Sequence, residues 1–320
     1  MLWFSIVLAV TLLYFTLRDL DWHLFWRTIR SGQYEIILLT VPLASLGYFI
    51  RAVRWSVLVR AEAKVPIPSV FWANMVGYLG NAYLPARAGE LLRAAFLGRE
   101  KGLGTSFVLA TALSERVLDA VALVVIGAVA LLSGGLLSPA LANAARLMAM
   151  AGVLALAAIL LAPFQERLFL RIIDRVPLPK TVSSKIAGQT SRFLVGMRSL
   201  QSVRRLLVFV SLTAAVWLAD GLGTVIGVRI ISQSLQLRQA LVLLAALGLS
   251  SAVPSTPGYI GVYQFVAVTV LMPYGFSRGE ALAYILIAQV LNYLVVTFWG
   301  LLGLWRLNLS RGSRGSPASN

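Results

Sequence analysis

Two stretches, Asn81-Ala-Tyr-Leu-Pro-Ala-Arg-Ala-Gly-Glu-Leu-Leu-Arg93 and Pro254-Ser-Thr-Pro-Gly-Tyr-Ile-Gly-Val-Tyr-Gln264, set helix-breaking and polar residues inside sequence that is otherwise membrane-grade in its apolarity. A bilayer core offers no water to freed N–H and C=O groups, so irregular backbone survives there only against protein or a watery cavity. One interruption falls in each half of the chain. The pattern predicts two half-helix hairpins around a site near the bilayer midplane, as in many transporters.

Composition agrees. Of 320 residues, 59% are apolar and 12% charged, against about 25% charged in soluble domains. The chain reads as a polytopic membrane protein. Met1-Leu-Trp-Phe-Ser-Ile-Val lacks the basic start and small-residue cleavage site of a signal peptide, so Met1–Leu17 is expected to remain as a first span. With no cysteine there is no disulfide, thiolate metal site or palmitoylation. The single histidine, His23, reads as a solvated loop residue at the interface and cannot build a multi-histidine metal site.

The net charge of +16 is unevenly placed. Nine basic residues against two acids lie between Phe164 and Arg205. Leu168, Phe169, Ile172, Ile173 and Val176 recur there at helical spacing, with Arg167, Arg171 and Arg175 on another face. Residues 164–205 thus read as an amphipathic cytoplasmic segment on the anionic inner leaflet. Nucleic-acid binding is the rival for a basic run, but aromatics are few and no reading motif appears.

Runs near the length that crosses about 30 Å of hydrocarbon are Met1–Leu17, Tyr34–Ile50 (extendable to Val59), Thr105–Ser133, Ala140–Pro163, Leu206–Ile231 and Glu280–Trp305. The shorter Ser69–Ala82, Gly89–Gly98, Arg238–Val253 and Tyr259–Met272 reach only roughly 15 to 24 Å as helices. Basic residues Arg51, Arg54, Arg60 and Lys64, the 164–205 segment, and Arg306, Arg311 and Arg314 mark cytoplasmic ends, while the uncharged Gly134–Pro139 belongs outside. The chain is then cytoplasmic at both Lys64 and Arg99, so whatever lies between enters and leaves by one face. By the same parity Gln233–Met272 begins and ends outside. The expected fold is an all-α membrane bundle of about six full spans plus two re-entrant hairpins in two inverted halves. Pro-x-x-x-Gly recurs at Pro85/Gly89 and Pro257/Gly261. Two tilted crossings in place of each hairpin would preserve the parity.

The first hairpin would present a helix N-terminus, started by Pro85, toward mid-membrane, where free N–H groups suit a phosphate or carboxylate. Asn81 lies at the tip, and Arg87, Glu90 and Arg93 share a face. Arginine forks match phosphate; the rival reading has Arg93 snorkelling with Glu90 as its partner. Ser114-Glu-Arg-Val-Leu-Asp119 puts Glu115, Arg116 and Asp119 on one side of a span, at about 2.5–3.5 kcal/mol per mid-helix charge. They either hold a headgroup or form a structural ion-pair network. Asp220, alone in its span, is a further candidate. In the second hairpin Gly258 and Gly261 let a ligand approach the backbone, Gln264 is the nearest polar side chain, and Asn292 and Tyr293 could face it. No Walker, HExxH, GxSxG or DxD-type motif appears, so neither catalytic residues nor a metal or cofactor is expected.

At these motifs the sequence resembles the lysylphosphatidylglycerol synthase transmembrane-region (flippase-like) family, and is similar to the membrane domain of the multiple peptide resistance factor. Asn81, Pro85, Arg87, Gly89, Glu90 and Arg93 carry the first motif, Glu115, Arg116 and Asp119 the second, and Pro254, Pro257, Gly258 and Gly261 the third. The resemblance spans about Met1 to Leu307. It implies movement of phospholipids or polyprenyl-phosphate lipids between leaflets. Two departures stand out: Gln264 replaces a frequent Glu, and an Arg common near Asn292 and Tyr293 is missing. The soluble aminoacyl-transferase domain of bifunctional relatives is absent from the sequence, so no lipid aminoacylation is expected.

The expected protein is therefore a membrane domain over residues 1–307 with a flexible cytoplasmic tail at 308–320. It would sit in the cell (inner or plasma) membrane with both termini cytoplasmic and bind membrane lipids with an anionic headgroup. A homo-oligomer and a lipid-synthesis enzyme partner are both compatible with it. A lipid-linked glycosyl- or headgroup transferase, and a non-transporting partner of a synthesis enzyme, are the alternatives.

Overall fold

Every described element is helical, which is what long apolar runs free of β-type alternation dictate. The computed structural model describes residues 2–60, 63–84, 88–134, 139–161, 179–198, 202–251 and 256–312. No strand occurs among them. The α-helices are α1 (Leu2–Leu17), α2 (Trp22–Arg30), α3 (Ile37–Val59), α4 (Ile67–Tyr83), α5 (Gly89–Lys101), α6 (Thr105–Leu132), α7 (Pro139–Leu161), α8 (Lys180–Arg198), α9 (Val203–Val228), α10 (Leu237–Ser250), α11 (Val262–Leu271) and α12 (Arg278–Gly312).

Local signals set the boundaries. Asp21 caps α2 by accepting from the Leu24 N–H at 2.9 Å. His23 therefore lies in a helix rather than the expected loop, exposed as expected and 3.4 Å from an Arg27 nitrogen. Gly102 ends α5 in the left-handed region at φ +67°, a C-terminal stop that glycine adopts without Cβ strain. The predicted interruptions both appear: α4 stops at Tyr83, α5 starts at Gly89, α10 stops at Ser250 and α11 starts at Val262. Pro85, Ala86 and Arg87 at the first break, and Pro254 at the second, lie outside the described residues. So do residues 162–178, where the amphipathic spacing was read; within the basic segment, α8 is a helix packed against α6.

Among the described residues three helices are long and apolar enough to cross a membrane by length and composition, over Tyr34–Val59, Val203–Ile231 and Arg278–Arg306. The other predicted spans are helices too. Helix α6 has 28 residues, but Glu115, Arg116 and Asp119 interrupt its apolar character. Apolar stretches of α1 and α7 run over Ser5–Leu17 and Ala145–Ala155.

Packing falls into two groups. One core joins α3, α4, α5 and α6 through Trp55, Leu58, Val70, Leu97 and Val108. The other joins α10, α11 and α12 through Leu243, Ala267, Leu271 and Leu282, with Phe25 of α2. Most of the neighbour relations of α3–α6 have counterparts among α9–α12. Helix α3 packs on α4 and α9 on α10; α4 on α5 and α10 on α11; α5 on α6 and α11 on α12. The groups join where α3 meets α9, α6 meets α10 and α12 meets α4.

The α4–α5 seam is tight. A Cβ on Gly89 would lie 1.9 Å from the Gly77 carbonyl oxygen and 2.6 Å from the Asn81 nitrogen. Backbones this close need small residues, as at many membrane helix interfaces. Gly89→Ala should therefore destabilise the protein by about 3 kcal/mol, the upper end for overpacking. By contrast, Gly104→Ala, where a Cβ meets nothing within 4 Å, should leave thermal unfolding in detergent unchanged.

Candidate functional site

Charges enter this apolar bundle on fixed helical offsets. Glu90 and Arg93 are one turn apart on α5; Glu115, Arg116 and Asp119 share a side of α6; Arg51 and Arg54 are one turn apart on α3. Packing of α3, α5 and α6 brings these faces together.

The deepest layer centres on Glu115, which is fully buried. Its Oε1 accepts from Arg54 Nη2 at 2.9 Å and its Oε2 from Arg93 Nη1 at 2.9 Å. Arg54 also donates to both oxygens of Asp119, at 2.6 and 2.9 Å. Arg93 further donates to Asn74 Oδ1 and to the Ala112 carbonyl, each at 3.0 Å. Its Nε lies 2.6 Å from Glu90 Oε2, and its guanidinium sits 4.6 Å from the Trp55 ring. Arg54 and Arg93 are 1% and 2% exposed, so neither touches water or lipid. Arg116 closes the network by donating from Nε to Glu90 Oε1 at 2.9 Å, with Asp119 3.8 Å away. Three arginines face three carboxylates.

Outward from this layer lies a cavity of about 550 Å³. Asn81, Glu90, Arg116, Asp119 and Gly258 line it, five of the ten expected site residues. Asn81 donates to Glu90 Oε1 at 3.2 Å. Arg93 and Glu115 stand behind the wall in the ion network. Arg87 lies outside the described residues. Gly261 packs against the α1 backbone, 2.6 Å from the Ala9 carbonyl oxygen if it carried a Cβ. Gln264 is buried; its Oε1 accepts from the Gly261 N–H at 2.7 Å and its Nε2 donates to Gln289 Oε1 at 2.5 Å. Gln289 in turn donates to the Gly258 carbonyl at 3.1 Å.

Gly258, at φ +72°, brings the second break to the cavity wall together with Tyr259. A Cβ there would occupy the place of the Tyr293 hydroxyl, 1.4 Å away. Tyr293 therefore does meet the second break, and Tyr83 beside the first break packs on its ring at 5.9 Å. Asn292 instead reaches α3, where its Oδ1 accepts from the Tyr48 hydroxyl at 2.5 Å.

Several cavity groups were not picked out as site residues from the sequence. Arg51 and Arg54 read as basic residues flanking a span extendable to Val59; α3 does run to Val59 and holds both, Arg51 at the cavity and Arg54 behind it in the ion network. Arg51 forms an ion pair with Asp220 of α9 at the cavity wall. Tyr48, Tyr78 and Trp217 complete this side. The i, i+3 spacing of Arg51 and Arg54 was the available signal, since two loop arginines have no reason to share a helical face. Among the described residues no group of three His, Cys, Asp or Glu could hold a metal ion; each interior carboxylate has an arginine partner instead.

Burial makes this network intolerant of single deletions. Removing one partner of a buried pair costs about 3–5 kcal/mol because a bare charge remains. Glu115→Ala is therefore expected to destabilise the protein by that amount, measured by helix loss during sodium dodecyl sulfate titration of detergent-solubilised protein. At the Arg51–Asp220 pair, Arg51→Met and Asp220→Leu should each destabilise, while the double substitution recovers part of the loss.

The family model described as the lysylphosphatidylglycerol synthase TM region matches residues 2–300. No curated protein matches the chain. With the match running through nearly the whole length, this chain belongs to the lysylphosphatidylglycerol synthase TM region family.

Proposed function

We propose that this protein is an integral membrane lipid translocase, moving an anionic phospholipid or polyprenyl-phosphate lipid between leaflets. The observation that carries the reading is the cavity itself. It is a space of about 550 Å³ with an apolar lining into which charged side chains project, walled by residues from both chain interruptions.

The element lengths support re-entrant hairpins. Helices α5, α10 and α11 have 13, 14 and 10 residues, roughly 20, 21 and 15 Å, well short of a 30 Å core. The matched neighbour relations of α3–α6 and α9–α12 support two inverted halves. Comparable cross-links hold each half: Arg116 of α6 to Glu90 of α5, and Gln289 of α12 to Gln264 of α11. One half uses ions where the other uses amides. Helices α1, α3, α6, α7, α9 and α12 are then the six spans, in the cell membrane with both termini cytoplasmic.

On this reading the ion network is the rigid frame. Arg54, Arg93 and Glu115 position α3, α5 and α6, while Glu90, Arg116, Asp119, Arg51 and Asp220 give a headgroup a polar path. The acyl tails stay in the bilayer. A metal-dependent headgroup transferase needs free carboxylates, whereas Glu90, Glu115, Asp119 and Asp220 are all paired with arginine.

Gly223 provides a clean test. It lines the cavity, and a Cβ there would meet only Leu43, at 3.8 Å. In liposomes containing fluorescent phosphatidylglycerol, the protein should accelerate exchange between leaflets, followed by dithionite quenching. Gly223→Leu, which fills the space, should slow it at least tenfold without changing thermal unfolding. Unaltered exchange in that variant would sink the cavity route, and metal-dependent product formation from a nucleotide sugar without exchange would favour the transferase.

A further inference from the structure

The nine residues of α2 put three chemistries on three neighbouring faces. At about 100° per residue, Phe25 and Thr28 fall on one face, Trp22 and Trp26 on the next, and His23, Arg27 and Arg30 on the one beyond. The first face is used for packing. Phe25 and Thr28 are buried, and Phe25 joins the core shared by α10, α11 and α12, with Ile29 packed against it. Trp22 and Trp26 are 52% and 51% exposed, and His23, Arg27 and Arg30 beside them are exposed too.

Helix α2 is held level with a row of helix ends. Near its start, Arg278 at the beginning of α12 donates to the Phe15 carbonyl of α1 at 2.7 Å. A Cβ on Gly279 would lie 3.6 Å from the Asp21 carbonyl oxygen. Beyond its other end, the Gln33 N–H donates at 2.8 Å to the carbonyl of Ile230, just past the end of α9. Gln233, on the link that follows α9, donates to Glu280 of α12 at 2.6 Å. Helices α3, α9 and α12, each membrane-grade in length and apolarity, thus start or finish at one level. Secured to that level at both ends, α2 runs its length of about 13 Å along the membrane face rather than across the bilayer.

Two half-exposed indole rings at such a level match the membrane interface. Indole has an apolar body and one N–H donor, and tryptophan concentrates where headgroups meet acyl chains. Tyr34, 41% exposed, adds another such side chain, its hydroxyl donating to the Ile29 carbonyl at 2.6 Å. The guanidiniums of Arg27 and Arg30 suit lipid phosphates. Charge does not select the lipid, because Arg18, Arg27 and Arg30 are balanced by Asp19, Asp21 and Glu35 over residues 18–35. Zwitterionic and anionic leaflets meet the requirement equally.

We propose that α2 is a membrane-surface anchor, with Trp22 and Trp26 seated at the headgroup–acyl boundary of a phospholipid leaflet and His23, Arg27 and Arg30 among phosphates and water. Phe25 and Thr28 pass that depth on to the start of α12. The assignment needs only a membrane-embedded chain and stands apart from the translocase reading.

The chain has no cysteine, so single labels can report each face. Trp22→Cys, Trp26→Cys, His23→Cys and Arg27→Cys would each carry a nitrobenzoxadiazole label in the full chain, reconstituted in phosphatidylcholine nanodiscs. All four sites are exposed, so thermal unfolding in detergent should stay at the parent value. Iodide should quench the labels replacing Trp22 and Trp26 at least fivefold less than those replacing His23 and Arg27. Lipid with a doxyl group near its headgroup should quench the first pair about threefold more than lipid with the doxyl group mid-chain. Adding phosphatidylglycerol should change neither ratio. Equal iodide quenching at all four sites would place the tryptophan face in water, and stronger mid-chain quenching would place α2 inside the bilayer; either overturns the proposal. Protection of the tryptophan sites from iodide and doxyl lipid alike would reveal a covering protein, such as a second copy of the chain, and overturn it as well. Deeper seating only when phosphatidylglycerol is present would overturn the charge-independent anchor.

Discussion

Charge balance inside an apolar bundle is the constraint on which the structure depends. Glu115 is held between Arg54 and Arg93, and Asp119 and Glu90 complete the set so that three positive and three negative groups meet with no excess of either. Away from water the interaction between such groups is strong and the penalty for an unpaired one is large. The network therefore fixes more than individual contacts. It ties α3 to α6 and α6 to α5, and through the short α4–α5 seam at Gly77 and Gly89 it locates the first chain interruption.

The second group of helices solves the same problem without ions. Gln264, Gln289 and the Gly258 carbonyl form a chain of amide hydrogen bonds where Glu90, Arg116 and Asp119 form salt bridges. Amides cost less to bury than charges, and this half correspondingly keeps Gly258 and Tyr259 in left-handed backbone against Tyr293. The cavity lies between a charged wall and an amide and phenol wall. Gln264 has a neutral partner in Gln289 rather than a charged one.

Rigid and adjustable parts divide accordingly. Arg54, Arg93 and Glu115 are sealed from solvent and act as frame. Arg116, at 29% side-chain exposure, and the Arg51–Asp220 pair, at 16% and 20%, reach the cavity. Residues of one motif thus take different parts: on α6, Glu115 faces the frame and its neighbour Arg116 faces the space.

Much was legible in the sequence because its signals are local. Apolar run length gives helices, and proline and glycine give the two interruptions; neither needs a partner elsewhere in the chain. The i, i+4 spacing of Glu115 and Asp119 likewise announced one charged helix face. What the sequence left undecided was the identity of the partners. Arg51 and Arg54 read as the basic flank of a span and Asp220 as alone in its own; the packing of α9 on α3 makes Arg51 and Asp220 a pair. Whether Arg93 bound a ligand or held a helix depended on what faced it across α6. Those pairings join residues 22 to 169 positions apart, and only the packing of helices brings such groups within hydrogen-bonding reach.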